Sequence, residues 1–172
     1  MSCLNLSAQH QPSTKTSSSV QARAVKRLVP GKDQVVLQQL ESLEKRLFKK
    51  ADSWTGLFSK EAVRRNCVLL YVTHDSQVAA YIVYTTNGLA AHIAKLAVRD
   101  NLRRQGIGRS LVRAAVETAR RERRVGSCSL HVDPGNTAAV GLYRSLGFAV
   151  EAELQDYYAP GRSAYKMRLE LD

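Results

Sequence analysis

The sequence predicts a mixed α+β domain in which one β-sheet carries helices on both faces, as in a three-layer α/β sandwich. The main observation is that two hydrophobic patterns are interspersed. Short apolar or alternating runs, typical of strands, occur between longer runs with the 3.6-residue spacing of amphipathic helices. Along the chain these runs follow the order β-α-α-β-β-β-α-β-α-β-β. With 172 residues, 44% of them hydrophobic, the chain suffices for one domain with a full core.

The first part of the domain is predicted to contain two helices between an edge strand and three further strands. Asp33 is in position to cap the helix at 32–50, and Ser59 to cap the helix at 59–66. The apolar face of the first helix is predicted to comprise Val36, Leu40, Leu43 and Leu47. The strands are predicted at 22–29, at 67–86 as a pair that turns at 74–76, and at 91–98.

The second part of the domain is predicted to contain two helices and three strands. The helices cover residues 106–124 and 136–147, and Gly147 is expected to end the second one. One side of the helix at 106–124 is predicted to be apolar through Ile107, Leu111, Val112, Ala115 and Ala119. The strands are predicted at 127–132, 148–154 and 164–171, with a loop at 155–163 between the last two.

The charge, the cysteines and the hydropathy of the chain limit the classes of protein to which it can belong. The formal charge of +11 suggests an anionic partner, such as a phosphate-containing cofactor, a nucleic acid, a ribosome or an acidic surface, although a merely basic surface also fits. The three cysteines form no C-x-x-C pair, so we expect neither a disulfide framework nor a metal site, and a reducing compartment fits best. No apolar run is long enough to span a membrane.

The N-terminal residues 1–21 are predicted to be a disordered tail, and the domain is predicted to cover 22–172. The tail is rich in Ser, Thr and Gln, and no acidic residue precedes Asp33. A basic, acid-free start resembles an organelle transit peptide. We expect a cytoplasmic protein, with a plastid or mitochondrial location as the alternative, and a monomer or loose dimer.

A glycine-spaced basic turn precedes the helix at 106–124. Gly106 and Gly108 carry no side chain, so backbone N–H groups at the helix N-terminus can approach a phosphate closely. Three neighbouring arginines add positive charge. The turn is neither a P-loop nor a G-x-G-x-x-G motif, and a tight strand–helix turn without a ligand would have the same pattern. The arginines are Arg103, Arg104 and Arg109.

Two stretches resemble the signatures of the GCN5-related N-acetyltransferases. "LAVRDNLRRQGIGRSLV" meets their R/Q-x-x-G-x-G/A motif, and "LHVDPGNTAAVGLYRSLGF" resembles their second motif. The resemblance extends over about 22–171 and is strongest to protein N-terminal acetyltransferases, including those of ribosomal proteins. It implies the family's fold and direct acetyl transfer from acetyl-CoA to an amine. The residues implied in cofactor binding are Leu96, Ala97, Val98, Arg103, Arg104, Gln105, Gly106, Ile107, Gly108, Arg109, Asn136 and Tyr143.

The resemblance also implies catalytic roles for three residues. Tyr143 would be the general acid at the coenzyme sulfur, and His131 would deprotonate the amine through water. His92 lies where some relatives have a tyrosine, so its role departs from the family pattern. A histidine on a strand is more often a structural residue, so these roles rest on the resemblance.

The substrate side is implied to be a peptide groove. Tyr157 and Tyr158 would line it, because relatives carry a tyrosine pair in the loop between the last two strands. Phe48 falls with Lys49 and Lys50 near the loop that selects the first residues, and Trp54 would form a wall of the groove, with ordinary surface or core packing as the alternative. The expected partner is therefore the N-terminus of a protein or peptide, with ribosome association as a further expectation.

Two other functions stay open at this point. The same cofactor site could serve a protein lysine or a polyamine, for which Glu151, Glu153 and Asp156 are the acidic candidates. A basic module that binds the ribosome or RNA without catalysis is the second alternative, with the run at 120–124 as its contact.

Overall fold

The strands of the protein form one mixed sheet. A computed structural model describes residues 23–54, 56, 58, 60 and 64–171. The strands are β1 (Lys26–Arg27), β2 (Cys67–His74), β3 (Gln77–Thr86), β4 (Ala90–Val98), β5 (Ser127–Val132), β6 (Ala149–Ala159) and β7 (Arg162–Glu170). Their order in the sheet is β1-β2-β3-β4-β5-β7-β6, and β4 with β5 is a parallel pair while the other neighbours are antiparallel.

The helices cover both faces of this sheet, which confirms the predicted fold class. Helix α1 packs on one face, where its buried leucines meet residues of β2 and β3. Helices α2 and α3 pack on the other face, and the apolar side predicted for α2 is buried there. The helices with both ends among the described residues are α1 (Gln34–Leu47), α2 (Ile107–Arg123) and α3 (Thr137–Arg144), and 3₁₀ turns occur at Lys50–Asp52 and Asp100–Leu102.

Three predicted boundaries differ from the structure. β1 has only two paired residues instead of eight, because the chain turns away from β2 before Pro30. The loop predicted at 155–163 is wrong: β6 continues to Ala159, and a tight hairpin turn at Gly161, with a φ of 77°, leads directly into β7. Residues 64–66 form a turn instead of the end of a helix. The rest of the helix predicted at 59–66 and the tail predicted at 1–21, with the domain start at 22, lie outside the described residues, apart from 60.

Residues of β5 alternate between the two faces of the sheet. Cys128, Leu130 and Val132 point into the core under α2 and α3. Because successive side chains of a strand point to opposite faces, Ser129 and His131 lie on the α1 face. A polar side chain at position 131 is thus directed away from the main core.

The parallel pairing of β4 with β5 is short. It runs from Ala90 with Ser127 to Ile93 with Leu130. Beyond this point β4 continues along β3 and β5 continues along β7, so the strands separate and their facing backbone edges are unpaired. Ala94 is an extra residue at this point, since Ile93 and Lys95 oppose consecutive residues of β3. The result is a gap in the sheet that opens directly next to His131.

Leu111 tests the α2 side of the core. Its side chain is fully buried, so Leu111→Ala should lower the free energy of unfolding by about 2–5 kcal/mol through lost burial and a cavity. The matched control is Leu89→Ala, because Leu89 is 83% exposed. Denaturant unfolding would measure both, and equal midpoints would contradict the assigned packing.

Candidate active site

The turn before α2 leaves a helix N-terminus open. Gly106 precedes the helix in the left-handed conformation, with a φ of 79°, and no side chain caps the helix. The first helical bond runs from Ser110 N to the Gly106 carbonyl at 3.0 Å. The N–H groups of Ile107, Gly108 and Arg109 precede it and have no acceptor within the helix. Together with the helix dipole they form an anion-binding position.

Several side chains of the turn are held by contacts within the chain. Arg103 forms an ion pair with Asp100 at 2.7 Å, and Arg109 donates to Ser145 Oγ at 2.8 Å. Gln105 accepts a hydrogen bond from Arg23 at 3.2 Å. These contacts brace the loop in the shape that presents its backbone amides.

Gly108 allows a close approach between α2, α3 and the end of β4. A Cβ atom at this position would lie 3.4 Å from Leu142 Cδ2, 3.7 Å from Val98 Cγ2 and 3.9 Å from Leu96 Cδ2. The side chain of Ile107 is buried in the core, as is that of Ala97 on the other face. These strand and turn residues can therefore contact a ligand mainly through their backbone.

Two further predicted cofactor residues have positions set by neighbouring structure. Arg104 is exposed, with a φ of 63°. Asn136 caps α3, since its Oδ1 accepts from Ala139 N at 3.2 Å, which leaves its amide nitrogen for a ligand.

Two histidines meet on the α1 face next to the gap. The ring centroids of His92 and His131 are 5.1 Å apart, and His92 Nδ1 lies 3.0 Å from Ser129 Oγ. Burial lowers the pKa of both imidazoles, and the Lys166 ammonium lowers both further; His131 also lowers the pKa of His92. Because each pKa falls below the ordinary value of about 6.5, both rings are neutral at pH 7.

Tyr157 lies directly against His131. The two rings stack with centroids 4.4 Å apart, and Tyr157 Oη is 3.0 Å from His131 Nδ1. Tyr158 contacts Tyr157 edge to face at 4.9 Å. The tyrosine pair is thus an extension of the histidine cluster, a contact that sequence reasoning did not find because β6 was taken to end before it.

Tyr143 lies on the opposite face from His131. It is buried between α3 and the sheet, with the Phe148 ring 5.8 Å away. Burial raises the pKa of Tyr143, and Tyr158 and Cys128 raise it further, so the phenol keeps its proton at neutral pH.

A buried polar cluster under the α1 side of the site was not found from the sequence. Glu44 is fully buried in α1 and accepts from Tyr81 Oη, from Trp54 N at 2.8 Å and from Lys95, whose Nζ is 3.4 Å away. Lys95 Nζ also lies 3.8 Å from the Phe48 ring centroid. The available signals were an acidic residue at core spacing in α1 and a lysine within an apolar strand.

Phe48 and Trp54 therefore have packing partners in the structure. Both rings flank the Lys95 ammonium, with the Trp54 centroid 5.7 Å from Nζ. Burial lowers the pKa of Lys95, while Glu44 and Asp52 oppose this shift. Their predicted place near the substrate groove stays a prediction.

The residues proposed for the alternative functions are largely engaged. Glu151 pairs with Lys166 at 2.7 Å, and Asp156 Oδ1 accepts from Gly161 N at 2.6 Å. Glu153 lies on the exposed strand β6. In the basic run at 120–124, Arg123 donates to a backbone carbonyl at 2.9 Å.

In the part of the chain that the structure describes, no helix is long and apolar enough to cross a membrane.

The protein is an α/β domain whose sheet is split between β4 and β5. A glycine-spaced turn with an open helix N-terminus lies on one face, and a cluster of neutral histidines lies on the other. Comparison with protein families matches residues 36–148 to the acetyltransferase (GNAT) family. The chain belongs to this family. The resemblance seen in the sequence is thereby confirmed.

Similar proteins include several acetyltransferases. An N-alpha-acetyltransferase of Sulfurisphaera tokodaii is 35% identical over 46% of this chain and 48% of the relative. The catalytic subunit of the Arabidopsis thaliana N-terminal acetyltransferase A complex is 34% identical over 60% of this chain and 57% of the relative. The chain thus spans about half the length of the curated relatives it matches.

Solved structures share the fold over nearly the whole chain. The crystal structure of a ribosomal-protein alanine N-acetyltransferase from Escherichia coli has a TM-score of 0.74 at 24% identity, covering 87% of this chain and 94% of that one. Arabidopsis thaliana NAA60 in complex with acetyl-CoA also has a TM-score of 0.74, at 16% identity, covering 86% of this chain and 98% of that one.

Lys166 tests the electrostatics at His131. Because the ammonium disfavours a second positive charge, Lys166→Gln should raise the pKa of His131 toward its ordinary value. The titration curve of the His131 ring, measured by side-chain NMR, would move to higher pH. Lys26→Gln on β1 is the control and should leave the curve unchanged; identical curves for all three proteins would contradict the assigned cause.

Proposed function

We propose that this protein is an acetyltransferase that uses acetyl-CoA and acts on the α-amine at the N-terminus of a protein or peptide. The observation that carries the proposal is the pair of groups able to handle protons on the two faces of the split sheet. His131 is neutral on one face, and Tyr143 is protonated on the other. The names of the similar proteins support this class of reaction and substrate.

The turn before α2 has the features needed to hold the cofactor. The open helix N-terminus after Gly106 suits a diphosphate, and Arg104 adds charge beside it. The unpaired edge of β4, from 94 to 98, offers backbone hydrogen bonds to an amide-containing arm, and the Asn136 amide lies at the start of α3. Acetyl-CoA would supply the acetyl group as a reactive thioester.

Acid and base roles follow from the protonation states. His131 has a lone pair available at neutral pH, so it can take a proton from an amine directly or through water. If Nδ1 donates to Tyr157 Oη, the free lone pair is on Nε2. Tyr143 holds a proton that it can give to the leaving group. His92, bonded to Ser129, supports the cluster as a second neutral imidazole.

The strength of such a base favours an α-amine over a lysine. An α-amine titrates near 7.7–8.0, so roughly a quarter is neutral around pH 7.4, whereas only about one lysine in a thousand is neutral. A histidine with a lowered pKa is adequate for the first substrate and weak for the second. The acidic residues suggested for polyamines are on the exposed β6–β7 hairpin, with Glu151 already paired.

The cofactor turn can be tested by ligand-induced stabilisation. Gly106→Asp places a negative charge in front of the open helix end, so the rise in melting temperature that acetyl-CoA gives the wild type should be lost. The matched control is Gly88→Asp, since Gly88 also has a positive φ, of 91°, but lies at the other end of β4. Equal stabilisation of both variants would rule out this turn as the binding site.

The substrate class can be tested with labelled acetyl-CoA and peptides. Transfer is expected to peptides with a free α-amine, and not to N-blocked peptides that contain lysine or to spermidine. His131→Ala should lower kcat by about 10²-fold or more while acetyl-CoA still stabilises the protein, as expected for a lost general base. Transfer only to blocked peptides or spermidine would overturn the substrate, and an unchanged kcat would overturn the role of His131.

A further inference from the structure

We propose that the ion pair between Asp52 and Arg162 is a positioning device that holds the tyrosine pair, Tyr157 and Tyr158, against His131. The inference rests on the proposed function, because it assigns a consequence to the orientation of the base. Neither residue is among those predicted from the sequence for the site.

The ion pair joins two parts of the chain on either side of the α1 face. Arg162 Nη1 lies 3.3 Å from Asp52 Oδ1 and 3.4 Å from Oδ2. Asp52 ends the 3₁₀ turn after α1, and Arg162 begins β7 directly after the hairpin turn. Both side chains are partly exposed, so the pair contributes little to global stability. We therefore expect the ion pair to act on the local position of the tyrosines.

The backbone at Asp52 is held by the buried cluster of Lys95 and Glu44. Lys95 Nζ donates to the Asp52 carbonyl at 2.5 Å, and Lys95 is held by the fully buried Glu44. Glu44 also accepts from Trp54 N, two residues after Asp52. A charged cluster buried in this way has one well-defined arrangement, since any other would leave a buried charge unpaired. Arg162 thus meets a carboxylate whose backbone is anchored.

The Arg162 end contacts the tyrosine pair. The guanidinium carbon lies 5.3 Å from the Tyr158 ring centroid, a cation–π contact. Tyr158 in turn packs edge to face on Tyr157, and Tyr157 stacks on His131. An unbroken series of contacts therefore runs from Asp52 to the base.

The tyrosine pair lies in a bulge of β6, where the strand loses its register with β7. Leu154 pairs with Ala164 and Ala159 pairs with Arg162, so residues 155–158 have no register partners of their own, although Ser163 Oγ donates to Gln155 Oε1 at 2.9 Å. The bulge itself is shaped separately, by the bond from Gly161 N to Asp156 Oδ1. Loss of the ion pair should therefore leave the hairpin folded and release only the position of the tyrosines.

The consequence at the base concerns the imidazole tautomer. A neutral imidazole has one N–H group, and the partner of one nitrogen decides which nitrogen has the free lone pair. Tyr157 Oη is the partner of Nδ1. The titratable groups around His131 are His92 from β4, Tyr157 from β6 and Lys166 from β7, and of these the ion pair acts on Tyr157.

The experiment compares Arg162→Gln, Asp52→Asn and the double variant. Each single change should lower kcat about tenfold or more with little change in melting temperature, because misplacement by about 1 Å can cost 10²-fold. The double variant should resemble either single one, since both remove the same contact.

The matched control is Arg27→Gln. Arg27 pairs with Glu122 at 2.7 Å with similar exposure but links β1 to α2, away from the histidines. This variant should keep the wild-type kcat. An unchanged kcat in Arg162→Gln or in Asp52→Asn would overturn the proposal.

A second readout separates this proposal from the function itself. The ¹⁵N shifts of the His131 ring report its tautomer without cofactor or substrate, and they should change in Arg162→Gln and Asp52→Asn but not in Arg27→Gln. If the wild type acetylates no amine, the function fails, and the ring shifts still decide the positioning role. Shifts identical to the wild type would overturn that role.

Discussion

The place where β4 and β5 stop pairing determines the rest of the site. A sheet normally separates its two faces, and here it does so except where the two strands part after Ile93 and Leu130. His131 is the first β5 residue beyond the pairing, and the free β4 edge leads to the open end of α2. In the proposed reaction, one ligand would reach groups on both faces through this gap. The extra residue at position 94 and the short register would then serve the function as well as the fold.

The two faces of the sheet differ in polarity, and this difference suits them to different roles. The face under α2 and α3 is apolar, and Gly108 lets the helix end come close to β4 there. Burial on that side keeps the Tyr143 proton in place. The α1 face carries charge instead, with Glu44 and Lys95 paired at its centre. A buried ion pair is not an efficient source of stability, so we expect it to favour one arrangement of the groups on this face.

The sequence predicted the features that depend on residues close to one another in the chain. Helical spacing identified the buried side of α2, with Leu111 and Ala115, and glycine spacing marked the turn before this helix. The bulges of β4 and β6 were not predictable in this way, because one inserted residue shifts the two-residue period without changing composition. The contact of Arg162 with Asp52 joins positions 110 residues apart, and no local pattern encodes it.

The order of the strands differs from their order in the chain. β7 is the last described strand, yet it lies between β5 and β6. Synthesis proceeds from the N-terminus, so a growing chain has its glycine turn and α2 well before β5 gains its second neighbour. The hairpin that brings Tyr157 to His131 forms at the same late stage. Because domains generally fold as units, the site reaches its final arrangement only when β7, close to the end of the described chain, has completed the sheet.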